Sequence, residues 1–126
     1  MRYKVVFPIL GFEDEKYYDL EQIDEIFYKL KGKKVEFTLI NPFVLRNDYD
    51  FTINDDFAKK LKLEEGNVFV LNVLTVEDPF LNSTVNFAAP VVFNTKEKLL
   101  GQVVLDKYNY SLARPLKDFI GDENAN

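Results

Sequence analysis

The sequence contains no cysteine and no histidine. These absences exclude disulfide bonds, thiolate and imidazole metal ligands, thiol nucleophiles, Ser-His-Asp triads and histidine pH switches. It also carries no P-loop and no dinucleotide-binding fingerprint. The enzymatic chemistry left to it is that of carboxylates, either as a glycosidase pair or as an all-oxygen metal site. A chain without cysteine also suits a reducing compartment.

Long apolar runs are missing as well. No window approaches the roughly 18–20 apolar residues that cross a bilayer. The N-terminal apolar stretch is interrupted by Lys4 and Pro8 and has no small-residue cleavage site, so we expect no secretory signal and a cytoplasmic location. The chain has 126 residues, of which 47% are hydrophobic and 15% aromatic. These values predict one globular domain over residues 1–126, with 120–126 as a flexible tail.

The charge is moderately acidic. Sixteen basic and 21 acidic residues give a net charge of −5, and the acidic residues are spread along the chain without forming a block. A protein of this balance repels phosphate backbones, which argues against nucleic acid as a direct ligand. A basic protein partner is favoured.

Strand patterns dominate the chain. Alternating or continuously apolar runs predict strands over residues 3–9, 35–40, 48–53, 67–76, 85–93 and 102–105. Pro8 indicates an edge and Pro90 an edge or a bulge. Because the strands do not alternate regularly with helices, we expect a mainly β fold. The predicted architecture is a small antiparallel β-barrel-like domain with one or two short peripheral helices.

Two segments show helical patterns. Apolar residues at helical spacing follow Asp19, a possible N-cap, and predict a helix that ends before Gly32. Four lysines would then lie at the C-terminal end of this helix, where cations are favoured; they are Lys29, Lys31, Lys33 and Lys34. Asn54 is the predicted cap of a shorter helix that ends before Gly66.

Three pairs of neighbouring carboxylates are the candidates for catalysis. Asp48 and Asp50 lie on the predicted outward face of a strand, and Asp55 and Asp56 in the first turn of a helix, where anions are stabilised. Glu77-Asp78-Pro79 is typical of a turn. We favour these structural roles, and keep a carboxylate-based enzyme or a small-ligand-binding β-barrel as the alternative. Ala88-Ala89 either packs tightly inside the fold or allows a partner's backbone to approach closely.

A series of short motifs runs through most of the chain. They are PILGFE at 8–13, NPF at 41–43, DYDF at 48–51, VLNVLTV at 70–76, VNFAAPVVFN at 85–94, QVVLD at 102–106, Tyr110, and RPL at 114–116. In this order and spacing they resemble the FliW family of flagellar assembly factors. Two features depart from the family pattern: the N-terminus is short, and residues 18–34 have a helical pattern where many relatives have a strand-like one.

The resemblance implies a non-enzymatic binding protein without cofactor or metal. Proteins of this family bind flagellin near its C-terminal helix, and they bind the RNA-binding translational regulator CsrA. When flagellin is exported, the free family member antagonises CsrA and relieves the repression of flagellin translation.

Nine residues are the predicted partner-binding positions. They are Asn41, Pro42, Phe43, Asp48, Asp50, Glu77, Asp78, Phe80 and Asn86. Phe43 and Phe80 would be apolar anchors for an amphipathic helix; alternatively, their rings plug the ends of the barrel. The four acidic residues are expected to carry free charges that steer association with CsrA.

Overall fold

Nine β-strands form one sheet in residues 1–119, the part of the chain that this computed structural model describes. In chain order they are β1 (Arg2–Phe7), β2 (Tyr17–Gln22), β3 (Phe27–Lys31), β4 (Glu36–Ile40), β5 (Val68–Thr75), β6 (Thr84–Val85), β7 (Val91–Asn94), β8 (Leu99–Gln102) and β9 (Arg114–Pro115). Helix α1 (Asp55–Lys60) and the 3₁₀ helices Pro42–Val44 and Phe80–Asn82 lie between strands. The expected flexible tail, residues 120–126, lies outside the described residues.

Seven of the strands close into a barrel. Their order is β4-β3-β2-β1-β8-β7-β5, and β5 returns to pair with β4 through Asn72↔Ile40 and Leu74↔Thr38. The expected mainly β, barrel-like architecture with short peripheral helices is confirmed. Not all of its pairings are antiparallel, because β1 and β8 run parallel. The short strands β6 and β9 extend the sheet from β5 outside the closed barrel.

The barrel interior is filled by the inward side chains of its strands. Leu30, Leu39, Leu71, Phe93 and Leu100 are fully buried there. Tyr3 packs edge-on against Phe93, with ring centroids 5.1 Å apart. Because successive side chains of a strand point to opposite faces, the same strands also present apolar residues outward.

Two separate covers bury those outward residues. On one side Phe57 of α1 and Leu61, the residue after the helix, pack against Val92, and Phe57 stacks on Phe7 with ring centroids 4.5 Å apart. The predicted cap of this helix is confirmed, since Asn54 Oδ1 accepts a hydrogen bond from the Phe57 N–H at 2.8 Å. On another side, the outward side chains of β4 and β5 form a second cluster with the residues that cover them. Its fully or nearly fully buried members are Ile40, Tyr49, Leu74, Val85, Phe87 and Leu116.

The predicted helix over residues 19–31 is wrong, because this segment forms the β2–β3 hairpin. Leu20 pairs with Leu30, and Asp24 Oδ1 holds the turn by accepting the N–H groups of Ile26 and Phe27, both at 2.8 Å. Two short alternating strands joined by a turn happened to place apolar residues at helical spacing. Lys29 and Lys31 therefore cap no helix and instead form ion pairs on the sheet with Glu36 and Glu21.

Three of the predicted strands differ from the structure: one segment forms no strand, and the other two have different bounds. Residues 48–53 show the predicted alternation, with Tyr49 buried and Asp48 and Asp50 exposed, but they form no strand. The backbone N–H groups of Asp50 and Thr52 bond to tyrosine hydroxyls instead of to a neighbouring strand. The run at 85–93 is divided between β6 and β7 by a bulge at 86–90, and the strand expected at 102–105 lies earlier, at Leu99–Gln102.

We expect Leu71→Ala to lower the free energy of unfolding by about 2–5 kcal/mol, because its side chain fills the barrel interior and leaves a cavity when truncated. Urea denaturation measures this change. The matched control is Val68→Ala on the same strand, whose side chain is 45% exposed, and whose truncation should change stability by no more than about 0.5 kcal/mol. Equal effects of the two substitutions would contradict the inward orientation of Leu71.

Candidate partner-binding surfaces

The three carboxylate pairs lie exposed at separate places in the fold. Asp55 and Asp56 occupy the first turn of α1, as predicted. No cluster of three or more potential metal-ligating side chains is found within residues 1–119. Across the same residues, none of the helices has the length and apolar character that a bilayer crossing requires.

An aromatic patch lies on the outer side of the barrel around the β2–β3 turn. We define it by Ile26, Phe27, Phe43 and Phe80. The Phe80 ring contacts the Phe27 ring edge-on at 5.9 Å and is 45% exposed. The Asn41 N–H donates to the Ile26 carbonyl at 2.8 Å, which holds the segment that carries Phe43 beside the turn. The patch thus joins three stretches that are distant in sequence.

The start of the 3₁₀ helix directs Phe43 outward. Asn41 Oδ1 accepts the Phe43 N–H at 3.0 Å, and Pro42 is buried as the first residue of the helix. Phe43 is 43% exposed, and its ring packs at a tilt against the ring of Tyr49 with centroids 5.9 Å apart. Phe43 and Phe80 therefore do not plug the ends of the barrel. Both rings lie half-buried on an aromatic base and offer their outer faces to solvent.

Tyr49 is the base beneath Phe43. Its buried ring contacts the rings of Phe51, Phe87 and Tyr110 at centroid distances of 5.4, 5.2 and 4.9 Å. Burial raises the pKa of its hydroxyl to about 12. The hydroxyl thus stays protonated and donates to the Phe87 carbonyl at 2.6 Å.

The four predicted acidic residues differ in how free their charges are. Asp50, Glu77 and Asp78 are exposed and form no ion pair within residues 1–119. The expectation of a free charge is wrong for Asp48, which pairs with Arg46 through Oδ1 at 3.3 Å. The hydrogen bond and the charge of Arg46 lower the pKa of the Asp48 carboxyl.

Asn86 does not join the aromatic patch. It lies in the wall of an apolar groove of about 230 Å³, which we call the barrel-end groove. The groove is lined by Ile9, Leu10, Phe12, Phe37, Val73, Asn86, Ala89, Gln102, Val104 and Leu112. Leu10 and Leu112 are among its most exposed side chains, at 64% and 68%.

Hydrogen bonds hold the groove walls at a fixed separation. Gln102 Oε1 accepts the Leu10 N–H at 2.9 Å, while Gln102 Nε2 donates to the Ala89 carbonyl at 3.1 Å. Asn86 Oδ1 accepts the N–H groups of Ala88 and Ala89, each at 3.1 Å. Ala88 and Ala89 are buried in this bulge, which fits the packing interpretation, and Ala89 also lines the groove.

The groove contains residues that the sequence analysis did not single out as a site, among them Leu10, Gln102 and Leu112. Leu10 and Gln102 belong to separate motifs whose meeting depends on the parallel pairing of β1 and β8. One local signal was present, since Leu10 is a large apolar residue between Pro8 and Gly11, in a turn where Gly11 adopts a positive φ of 91°.

Glu15 anchors the loop that brings Phe12 to the groove. Its carboxylate accepts the N–H groups of Lys33 and Lys34 at 2.7 and 2.8 Å. A side chain at Gly32 would meet Glu15 and Tyr18 at 2.8 Å, so glycine lets the carboxylate approach the turn closely. The loop then places Phe12 edge-on against Phe37 at 5.0 Å. The hydrogen bonds from Lys34 and Lys33 lower the pKa of the Glu15 carboxyl.

Comparison with known proteins identifies relatives over nearly the whole chain. A family model described as FliW protein matches residues 2–116. The flagellar assembly factor FliW 2 of Wolinella succinogenes is 41% identical over 99% of this chain and 96% of its own length. The flagellar assembly factor FliW of Campylobacter lari is 43% identical, with coverage of 95% and 97%.

A solved structure agrees with the fold. The crystal structure of a flagellar assembly factor FliW superposes with a TM-score of 0.85 at 32% identity. The match covers 91% of this chain and 84% of the solved one. The similarity therefore extends to the barrel and to most of the segments that carry the two surfaces.

Glu15 should make stability depend on pH. Its folded-state pKa lies below the usual 4.5, so its stabilisation is present above that value and is lost as pH falls through the folded pKa. We expect Glu15→Gln to lower the urea midpoint near pH 7 and the difference from wild type to shrink as the pH falls through the lowered pKa of Glu15. Glu25→Gln, an exposed carboxylate in the β2–β3 turn, is the control and should show no such convergence. A pH-independent difference for Glu15→Gln would contradict the role of the charge.

Proposed function

The chain belongs to the FliW family, and we propose that it is a cytoplasmic flagellar assembly factor that works by binding other proteins. Its proposed partners are flagellin, recognised near the C-terminal helical region, and the translational regulator CsrA. By antagonising CsrA, the flagellin-free protein relieves the repression of flagellin translation. The observation that carries this proposal is the pair of half-exposed phenylalanines held outward on an aromatic base.

The aromatic patch suits an amphipathic helix. Recognition of such a helix requires apolar anchors that are accessible before the partner arrives. Phe43 and Phe80 meet this requirement because each packs one edge on a neighbouring ring, Tyr49 or Phe27, and exposes the other. Rings that are already oriented lose little conformational entropy when a partner covers them. The patch is therefore the proposed flagellin site.

Free carboxylates suit a basic partner. Asp50, Glu77 and Asp78 are exposed and form no ion pair among the described residues, and the chain carries a net charge of −5. An RNA-binding regulator presents basic surface to its RNA, so it is attracted by this charge. We propose that these residues steer the approach of CsrA, and that Asp48 contributes less because Arg46 offsets its charge.

An enzymatic or small-ligand role finds less support. The curated relatives are named assembly factors, a name that describes no catalytic activity. The interior of the barrel, where a small-ligand barrel holds its ligand, is filled by packed side chains such as Leu30, Leu39 and Leu71. The surfaces available for recognition therefore lie on the outside of the barrel and at its end.

Phe80→Ala should weaken flagellin binding by at least about 1 kcal/mol with little loss of stability, because a half-exposed anchor contributes more to the interface than to the core. Isothermal titration calorimetry measures the affinity, and thermal melting measures the stability. Val68→Ala removes an equally exposed apolar side chain from the start of β5 and should leave the affinity unchanged. If Phe80→Ala lowers the melting temperature without changing the affinity, the ring belongs to the core.

Glu77→Gln together with Asp78→Asn should slow association with CsrA more than it speeds dissociation, because rim charges act mainly on the association rate. The effect should weaken as salt rises, since screening limits the field to about 8 Å near physiological ionic strength. Surface plasmon resonance from low to high salt measures both rates.

The control for this double variant removes the same amount of charge elsewhere. Glu64 and Glu65 are adjacent, exposed carboxylates in the loop after α1, and their double Gln variant has the same net charge. It should slow association less than the Glu77 and Asp78 variant does. Equal slowing by both variants would indicate that only the net charge matters, and rates insensitive to salt would refute steering.

A further inference from the structure

Exposed apolar surface is concentrated around the aromatic patch and extends beyond the four residues that define it. Seven of the fifteen large apolar side chains that are exposed within residues 1–119 belong to three short stretches, 23–27, 41–45 and 76–82. They are Ile23, Ile26, Phe43, Val44, Val76, Phe80 and Leu81. A concentration of exposed apolar side chains with polar residues around it is typical of a site that binds another protein.

Hydrogen bonds and one aromatic contact hold the three stretches together. The stretch 41–45 is bonded to the β2–β3 turn through the backbone N–H of its first residue. The Glu77 N–H donates to Ser83 Oγ at 2.8 Å and so closes the loop that carries Phe80. The Phe80 ring in turn contacts the ring of Phe27 at the end of the turn. The three stretches therefore present their side chains on one surface.

The same three stretches carry four carboxylates and neither lysine nor arginine. All four are exposed, and none forms an ion pair within residues 1–119. We call them the acidic rim; they are Asp24, Glu25, Glu77 and Asp78. Arg46, the residue after the second stretch, is already paired with Asp48. The apolar surface is thus bordered by negative charges that no ion pair offsets in this part of the chain.

The four charges of the acidic rim are not equally available to a partner. Asp24 Oδ1 accepts the N–H groups of Ile26 and Phe27. The hydrogen bonds from Phe27 and Ile26 lower the pKa of the Asp24 carboxyl, so this carboxylate holds the turn and stays charged at neutral pH. The other three rim carboxylates are exposed and accept no hydrogen bond within residues 1–119. They can therefore turn toward a bound partner.

A partner that covers the aromatic patch brings the flanks of its own apolar surface over the acidic rim, because interfaces generally have an apolar centre and a polar border. A lysine or arginine at the flank is attracted there, whereas a carboxylate is repelled by several like charges. Each solvated ion pair contributes little affinity by itself. The difference between attraction and repulsion adds up over the rim, however, and it discriminates between partners.

We infer that the acidic rim makes the aromatic patch selective for an amphipathic helix whose apolar stripe is bordered by lysine or arginine. This inference rests on the proposed function for the helical nature of the partner, and it adds the charge pattern by which the partner is selected. Glu25, which the sequence analysis did not single out, becomes a specificity-determining residue together with Glu77 and Asp78. A helix with the same apolar stripe bordered by glutamate or aspartate binds more weakly.

The test uses two synthetic amphipathic peptides of about 18 residues, long enough to form a helix. They share one apolar stripe and differ only in the residues beside it, which are lysine in one peptide and glutamate in the other. The full chain should bind the lysine peptide at least about fivefold more tightly, as measured by fluorescence anisotropy, and this preference should shrink as salt rises. Phe80→Ala should weaken both peptides by a similar factor, since it removes an apolar anchor and no rim charge.

Charge reversal separates the effect of the rim from that of the net charge. Glu25→Lys together with Glu77→Lys should abolish or invert the preference for the lysine peptide. Glu25→Gln together with Glu77→Gln, the milder variant, should reduce the preference without inverting it. The control is Glu64→Lys with Glu65→Lys, which changes the net charge equally at exposed positions after α1 and should keep most of the preference. Thermal melting checks that each variant remains folded.

The outcomes distinguish this selectivity from the proposed function. Equal binding of the two peptides to the wild-type chain would overturn the selectivity, as would equal losses of preference in the rim and control variants. Binding of neither peptide would also overturn it, and would refute the aromatic patch as the flagellin site. If the lysine peptide is preferred and intact flagellin does not bind, the selectivity stands and flagellin is the wrong partner.

Discussion

The pairing of β5 with β4 is the contact on which the other features of the fold depend. It closes seven strands into a barrel at Asn72↔Ile40 and Leu74↔Thr38, and so removes the open edge of the barrel sheet. It also uses both faces of β5. Leu71 points into the barrel, while Asn72 and Leu74 point to the outer cover. Tyr49, the base of the aromatic patch, packs on β5, and because β5 is buried on both faces it holds the patch rigid.

The run at 67–76 was predictable because a strand that is buried on both faces must be apolar at nearly every position. The cap of α1 was predictable because Asn54 satisfies a local N–H group. The hairpin at residues 17–31 has a helical pattern in sequence because its apolar residues Leu20, Ile23, Phe27 and Leu30 are three or four positions apart. In β3, however, Leu30 points into the barrel and Phe27 packs with the outer cluster, and only pairing with β1 and β4 decides in favour of strands. Local sequence patterns do not predict secondary structure correctly where pairing with distant strands decides between helix and strand.

The two candidate surfaces also differ in how far the sequence predicts them. Phe43 and Phe80 could be singled out because large apolar side chains in polar turns lack a local reason to be there. The groove could not, since its walls come from chain segments about 75 or more residues apart, near Leu10 and Asn86, and meet only through the order of strands. Asp48 is not free because it pairs with Arg46, two positions earlier in the chain, and the sequence alone does not show that these two side chains meet.

The identity of residue 72 follows from what the bulge requires. A leucine there would fill the outer cover equally well, yet it would leave the Asn86 carbonyl without its side-chain donor. An unpaired buried carbonyl costs about 1–3 kcal/mol. The five residues 86–90 lie opposite only Asn72 and Val73 of β5, so this segment cannot pair residue by residue with that strand. It relies in part on side-chain donors such as Asn72 Nδ2, and it places Asn86 and Ala89 in the groove wall. The buried amide therefore stabilises the irregular backbone from which the groove is built, and an apolar core residue at this position could not do so.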